Sequence, residues 1–186
     1  MSGIVIFAHG SGSSSASPRN QYVAGILRGS GVETLLPDLV TEDEGDQRFN
    51  IELLASRLVA IVDDVAASAT TARPRIGLFG ASTGAAAALV AAARRPDHVR
   101  AVVSRGGRPD LAGPALAVVD APTLLIVGGR DYTVVDLNRH AFDQLRCDKD
   151  LRIVPGATHL FEEPGALDKV AELAGDWFHT YLHSGG

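Results

Sequence analysis

The stretch that most constrains this chain is Arg75 to Arg94, RIGLFGASTGAAAALVAAAR. It passes from a short apolar run, through a turn of small residues, into an alanine-rich helix. Gly80-Ala81-Ser82-Thr83-Gly84 fits the G-x-S-x-G nucleophile elbow in the strand–turn–helix context the motif requires. A serine on such a strained turn needs neighbours without bulk two positions to either side, or strand and helix cannot approach. Ser82 is therefore the candidate nucleophile. Glycine-rich turns also cradle nucleotides, but that reading wants G-x-G-x-x-G and an acid closing the next strand. Here the glycines fall at 77, 80 and 84, and the next strand runs into Ser104-Arg105.

Apolar runs at 4–8, 32–36, 76–80, 99–103, 123–127 and 151–154 read as strands, and helical periodicity fills most of the gaps between them. That alternation predicts an α/β fold: a doubly wound, mainly parallel six-stranded sheet with helices on both faces. With 186 residues, 46% of them apolar, we expect one domain over 1–186. Ligands in such sheets bind at the C-terminal strand ends. The residues that matter are those just after each strand: the His9 loop, the acidic loop 41–46, Ser82, Ser104-Arg105, Asp131 and His159.

Three of these run in the order Ser82, Asp131, His159, the chain order of nucleophile, orienting acid and base in one family of triads. A serine hydroxyl is a weak nucleophile near neutrality and needs a base, which needs an anion to hold its tautomer. Of the six histidines, His98, His140, His179 and His183 fall in or beside peripheral helices, and His9 precedes the acid. His159 alone follows a buried strand in a Gly-Ala-Thr loop downstream of Asp131. The motif also asks for two backbone donors to an oxyanion. Thr83 N–H is the first expected donor and Ser11 N–H the second, with Gly10 and Gly12 as neighbours that could replace it. His9 either braces its loop or touches substrate. Arg105 and Arg108 flank a Gly-Gly pair close to the expected substrate, where arginine forks suit carboxylates and phosphates. An ion pair to Asp110 or to the acidic loop explains them equally well, and the acidic loop itself reads as a solvated turn.

A formal charge of -5 argues against nucleic-acid binding, which rests on basic surface. No apolar run is long enough to span a bilayer and no basic, signal-like segment opens the chain, so a cytoplasmic, non-membrane protein is expected. The single cysteine, Cys147, cannot form an internal disulfide. A Ser-His-Asp mechanism needs no metal and no cofactor.

With HGSGSS, GASTG, SRGGRPDL, GGRD and PGATHLFEEPG in place, the chain resembles the α/β-hydrolases of the dienelactone-hydrolase-like group over nearly its whole length. Some members of that group are fused to phosphoribosyltransferases. The resemblance implies hydrolysis of a small carboxylic ester or thioester through an acyl-serine, with HGSG as the oxyanion loop. It also implies a sheet lacking the superfamily's opening antiparallel hairpin, so that strand 32–36 forms a sheet edge, which another subunit or a crossing segment is expected to cover. Dienelactone hydrolases proper use a cysteine where this chain has Ser82. About fifteen residues separate Arg108 from Thr123, too few for a large cap. The reading from a different class is a non-catalytic module of the same fold that binds an anionic small molecule.

Overall fold

In the computed structural model, which describes residues 3–68 and 74–183, six strands form one parallel sheet in the order β2-β1-β3-β4-β5-β6. The strands are β1 (Ile4–Ala8), β2 (Glu33–Leu35), β3 (Ile76–Ala81), β4 (Val99–Arg105), β5 (Thr123–Gly128) and β6 (Lys149–Val154). The helices are α1 (Pro18–Gly29), α2 (Ile51–Ser68), α3 (Thr83–Arg94), α4 (Tyr132–Gln144) and α5 (Ala166–Leu182). Strands buried on both faces read as continuous apolar runs, and β3 and β5 are buried at every position. On one face the sheet packs against α1 and α5 through Val5, Phe7, Phe79, Val103, Leu27 and Phe178. On the other, α2 and α3 supply Leu54, Leu58 and Leu89 over Ile6, Leu78 and Val102.

Two sequence signals act as expected at the helix starts. Ser17 Oγ accepts the Asn20 N–H at 3.3 Å and Pro18 occupies the first turn of α1. α3 is buried over ten of its residues because alanine lets a helix lie close to a sheet.

Some boundaries differ from expectation. β4 continues two residues past Val103 because Ser104 and Arg105 pair with Gly80 and Ala81 on one side and Leu125 and Ile126 on the other. The acidic loop is solvated as expected, with no buried residue, but it is more than a turn: Glu42–Phe49 forms a 3-10 segment. Glu44 caps it at Thr41 N–H and clamps Arg57 through both carboxylate oxygens, at 2.6 and 2.7 Å. Those partners, Arg57 first, hold the Glu44 carboxyl down to about 2. A second 3-10 segment, Pro109–Val118, fills the span where a cap could have grown. β2 is the sheet edge, three residues long, with Glu33 and Leu35 exposed. No helix among the described residues is long and apolar enough to cross a membrane.

Candidate active site

Strand order reverses between β1 and β3: β1 leads outward to β2, whereas β3 leads the other way to β4. A parallel sheet opens its ligand crevice at such a switch point, at the carboxyl ends of the strands. The HGSGSS loop after β1 and Ser82 after β3 face each other there.

Ser82 has φ 52° and ψ -125°, an unfavourable backbone for a residue with a Cβ. Three contacts hold it. Its N–H donates to Arg105 O at 3.4 Å, and its carbonyl accepts from Arg108 N–H at 3.0 Å and Ala85 N–H at 3.1 Å. The glycines beside it are required sterically. A Cβ on Gly84 would lie 2.1 Å from Ala8 O, and one on Gly80 would lie 2.4 Å from Ala85 Cα.

Asp131 occupies the N-cap position of α4 yet makes no capping bond with its side chain. Its Oδ2 instead accepts the Nδ1–H of His159 at 2.7 Å. The bond orients the imidazole and leaves Nε2 as its free nitrogen. The loop carrying His159 is itself tied down: Thr158 donates its N–H and hydroxyl to Glu163 Oε1. Phe161 ends it in a positive-φ conformation (55°), so both non-glycine residues of that kind among the described residues lie at this site. Ser82 and His159 share one cleft of about 220 Å³ with Gly10, Gly12, Arg19, Arg105 and Leu160. Ser82 Oγ and His159 make no hydrogen bond to each other, a looseness usual in unliganded sites.

Other expected site residues are placed differently. The Ser11 N–H donates to Thr83 Oγ1 at 2.9 Å. It is committed to satisfying a buried hydroxyl, so it is not a free oxyanion donor. Thr83 N–H opens α3, where a helix leaves its first amides without intrahelical partners. His9 touches no substrate space with its nitrogens. Nδ1–H donates to Gly10 O at 3.1 Å and Nε2 accepts Leu39 N–H at 2.9 Å, so the ring braces the loop. Arg108 is likewise withdrawn, bound to both Asp110 oxygens at 2.9 and 2.8 Å.

Arg105 stays in the cleft. It is only 6% exposed, and its Nη2 donates to Asn20 Oδ1 at 3.2 Å while the guanidinium lies 6.0 Å from the centre of the Phe161 ring. Burial, with repulsion from Arg19, pushes its pKa down to about 10. Arg19, Asn20 and Phe161 were not expected at the site. The signal for the first two was present: Ser17-Pro18 fixes the start of α1, so its first turn must stand at the carboxyl ends of the strands. No cluster of three metal-ligating side chains occurs among the described residues.

Comparison with known proteins agrees with this architecture. Two Mycobacterium tuberculosis proteins carrying a provisional phosphoribosyl transferase name are 60% identical over 183 residues. The match takes in 97% of this chain but 41% of theirs, so the chain spans well under half the length of those relatives. A solved dienelactone hydrolase from Anabaena variabilis is 57% identical, with a TM-score of 0.94 over 98% of this chain and 88% of that one. Est1E of Butyrivibrio proteoclasticus, solved with ferulic acid, shares the fold at 18% identity and a TM-score of 0.83, over 97% and 89% of the two chains. The model of the dienelactone hydrolase family matches residues 3–182, and the chain belongs to that family.

Proposed function

We propose that this chain is a serine hydrolase cleaving a small carboxylic ester or thioester, without metal or cofactor. One observation carries the reading: Asp131 forgoes its helix cap to hold His159, in the cleft that the strained Ser82 turn enters. His159 Nε2 takes the Ser82 proton as Oγ attacks the ester carbonyl, and Asp131 stabilises the imidazolium. The tetrahedral oxyanion is met by Thr83 N–H and the amide of Gly10 or Gly12. His159 returns the proton to the leaving alcohol or thiol as the carbon–oxygen or carbon–sulfur bond breaks, leaving acyl-Ser82. Water, deprotonated by His159, then releases the acid and restores the serine. Arg105, in the cleft wall, contacts the substrate.

With no large cap over the cleft, short substrates fit this reading better than buried lipid chains. Phosphoribosyl transfer, in the same reading, belongs to the part of the longer relatives that this chain does not match. The acidic balance and the disulfide-free single cysteine favour the cytoplasm over a secreted setting, away from nucleic acid and membranes. Pairing of two copies through the β2 edge completes the proposal, with sedimentation at increasing concentration as its check.

The test is p-nitrophenyl acetate turnover with covalent capture by a fluorophosphonate, the adduct located by mass spectrometry. Wild type is expected to turn over and to label at Ser82, and Ser82→Ala to do neither. A folded wild type inert in both assays, or full activity in Ser82→Ala, would overturn the proposal. The missing Ser82–His159 bond favours one other reading, a non-catalytic module that binds a small anion, and the same inert result would support it.

A further inference from the structure

Asn138 is a buried polar residue that the proposed mechanism does not use. It lies within α4, fully excluded from solvent. Its Nδ2 donates to Val134 O at 2.8 Å and to Gly107 O at 3.1 Å, and its Oδ1 is buried without a partner among the described residues. Both neighbours are carbonyl oxygens, so the amide must present its nitrogen to them. An unmade bond in the interior is costly, and a leucine of the same branched outline would avoid it. What the asparagine supplies instead is a tie to Gly107. That glycine sits where three elements meet. A Cβ there would fall 2.0 Å from Ser104 Oγ on β4 and 2.5 Å from Ala85 Cβ on α3, and Asn138 of α4 closes the third side.

The segment held in this way touches both halves of the proposed machinery. The residue after Gly107, Arg108, donates its N–H to Ser82 O at 3.0 Å, at the strained turn. The residue before it, Gly106, passes the His159 loop: a Cβ there would lie 3.2 Å from His159 O and 3.6 Å from His159 Nδ1. Asp131, at the N-cap of α4, precedes Asn138 by two helical turns, so the two share a face. We infer that Asn138 is a positioning residue for Ser82, acting through Gly107 and Arg108, and that α4 sets nucleophile against base by holding one with Asn138 and the other with Asp131. Two turns of helix, about 10 Å, are stiff, so the two ties keep a fixed separation. The effect on rate rests on the proposed hydrolase; the tie itself does not.

Asn138→Leu removes the donor and keeps the outline. Amide hydrogen exchange followed by NMR compares Arg108 N–H with Gly106 N–H, which donates to Ile126 O of β5 at 2.8 Å and reports the sheet. Relative to Gly106, Arg108 is expected to exchange about tenfold faster than in wild type. Equal acceleration of both, or of neither, overturns the inference, since a merely destabilised fold opens the two together. With p-nitrophenyl acetate, kcat should fall by about tenfold or more while KM stays within about twofold. An unchanged kcat beside an active wild type also overturns it. Should leucine fail to fold, Asn138→Ala, which cannot overfill the site, should give the same exchange ratio and the same split of kcat from KM. An inert wild type would remove the hydrolase, and the exchange ratio alone would then decide whether Asn138 holds the turn.

Discussion

Replacing Arg105 by methionine should cost the protein little or no stability, although the residue is a buried polar group of the cleft wall. The folded state lowers the guanidinium from its ordinary value to about 10, chiefly by burial and then by repulsion from Arg19. That displacement corresponds to roughly 3 kcal/mol of cost to holding the charge in the folded state. The sign follows from linkage. Above about pH 10, up to where the unfolded chain also loses the proton, the unfolded chain binds it more firmly, so stability rises with pH across that window and the whole penalty is present below it. Methionine keeps an unbranched stem and has no charge to desolvate. Against the gain stand an orphaned Asn20 Oδ1, 2% exposed as a residue, at about 1–3 kcal/mol, and the lost cation–π contact with Phe161, at about 0.5–1 kcal/mol. The terms nearly cancel, and the expected net lies between about -1 and +1.5 kcal/mol. Adding Asn20→Leu removes the orphaned oxygen and should raise stability by about 2 kcal/mol over wild type. Urea unfolding with an unchanged m-value is the assay. A loss of more than about 1 kcal/mol in Arg105→Met, not recovered in the double variant, would show that the charge is compensated and that the reasoning is wrong.

Three further outcomes are expected. Thr83→Val removes the acceptor of the Ser11 N–H while keeping the side chain's shape, so kcat should fall by about 10²-fold with KM little changed and return with Thr83→Ser; equal loss in both variants would mean the hydroxyl does not position the loop. Gly84→Ala puts a methyl 2.1 Å from Ala8 O and 2.6 Å from His9 O, both backbone, and should lower stability by about 1–3 kcal/mol or more in urea; wild-type stability there would contradict the close approach. Asp131→Asn should stay folded and lose about 10⁴-fold in kcat, whereas a loss of only tenfold would remove Asp131 as the orienting group.

Much of the fold was legible because the central strands β1, β3 and β5 are short apolar runs closed by a turn signal, and the elbow announces itself through steric need. Where sequence reasoning fell short, it treated polarity as the end of a strand. Ser104 and Arg105 looked like loop residues, yet they remain in the ladder between β3 and β5. The same oversight blurred Arg105 and Arg108, which sit symmetrically about two glycines. Strand parity separates them: Arg105 continues the face of Ala101 and Val103 toward α1 and α5, while Arg108 begins a turn beside Asp110. His9 and Ser11 were recognisable as loop residues, but their partners, Leu39 and Thr83, lie 30 and 72 positions away. Local pattern carries no information about such bonds. Asp131 was singled out by its place just after a strand and by chain order, and only the structure shows that its side chain leaves its own helix uncapped and reaches His159.

The contact of Gly84 with the carbonyls of Ala8 and His9 leaves no slack between α3 and the end of β1. The Ser82 turn and the HGSG loop are therefore one mechanical part, and neither can be re-aimed without carrying the other. Arg19 and Asn20 stand instead on α1, and Leu160 and Phe161 on the loop after β6, elements that meet this part across the cleft. Under the proposed mechanism a division of labour follows: the bond-breaking half is locked to the sheet, and the half that would face the rest of the substrate can be exchanged residue by residue. A family built this way can change what it recognises while leaving its chemistry in place.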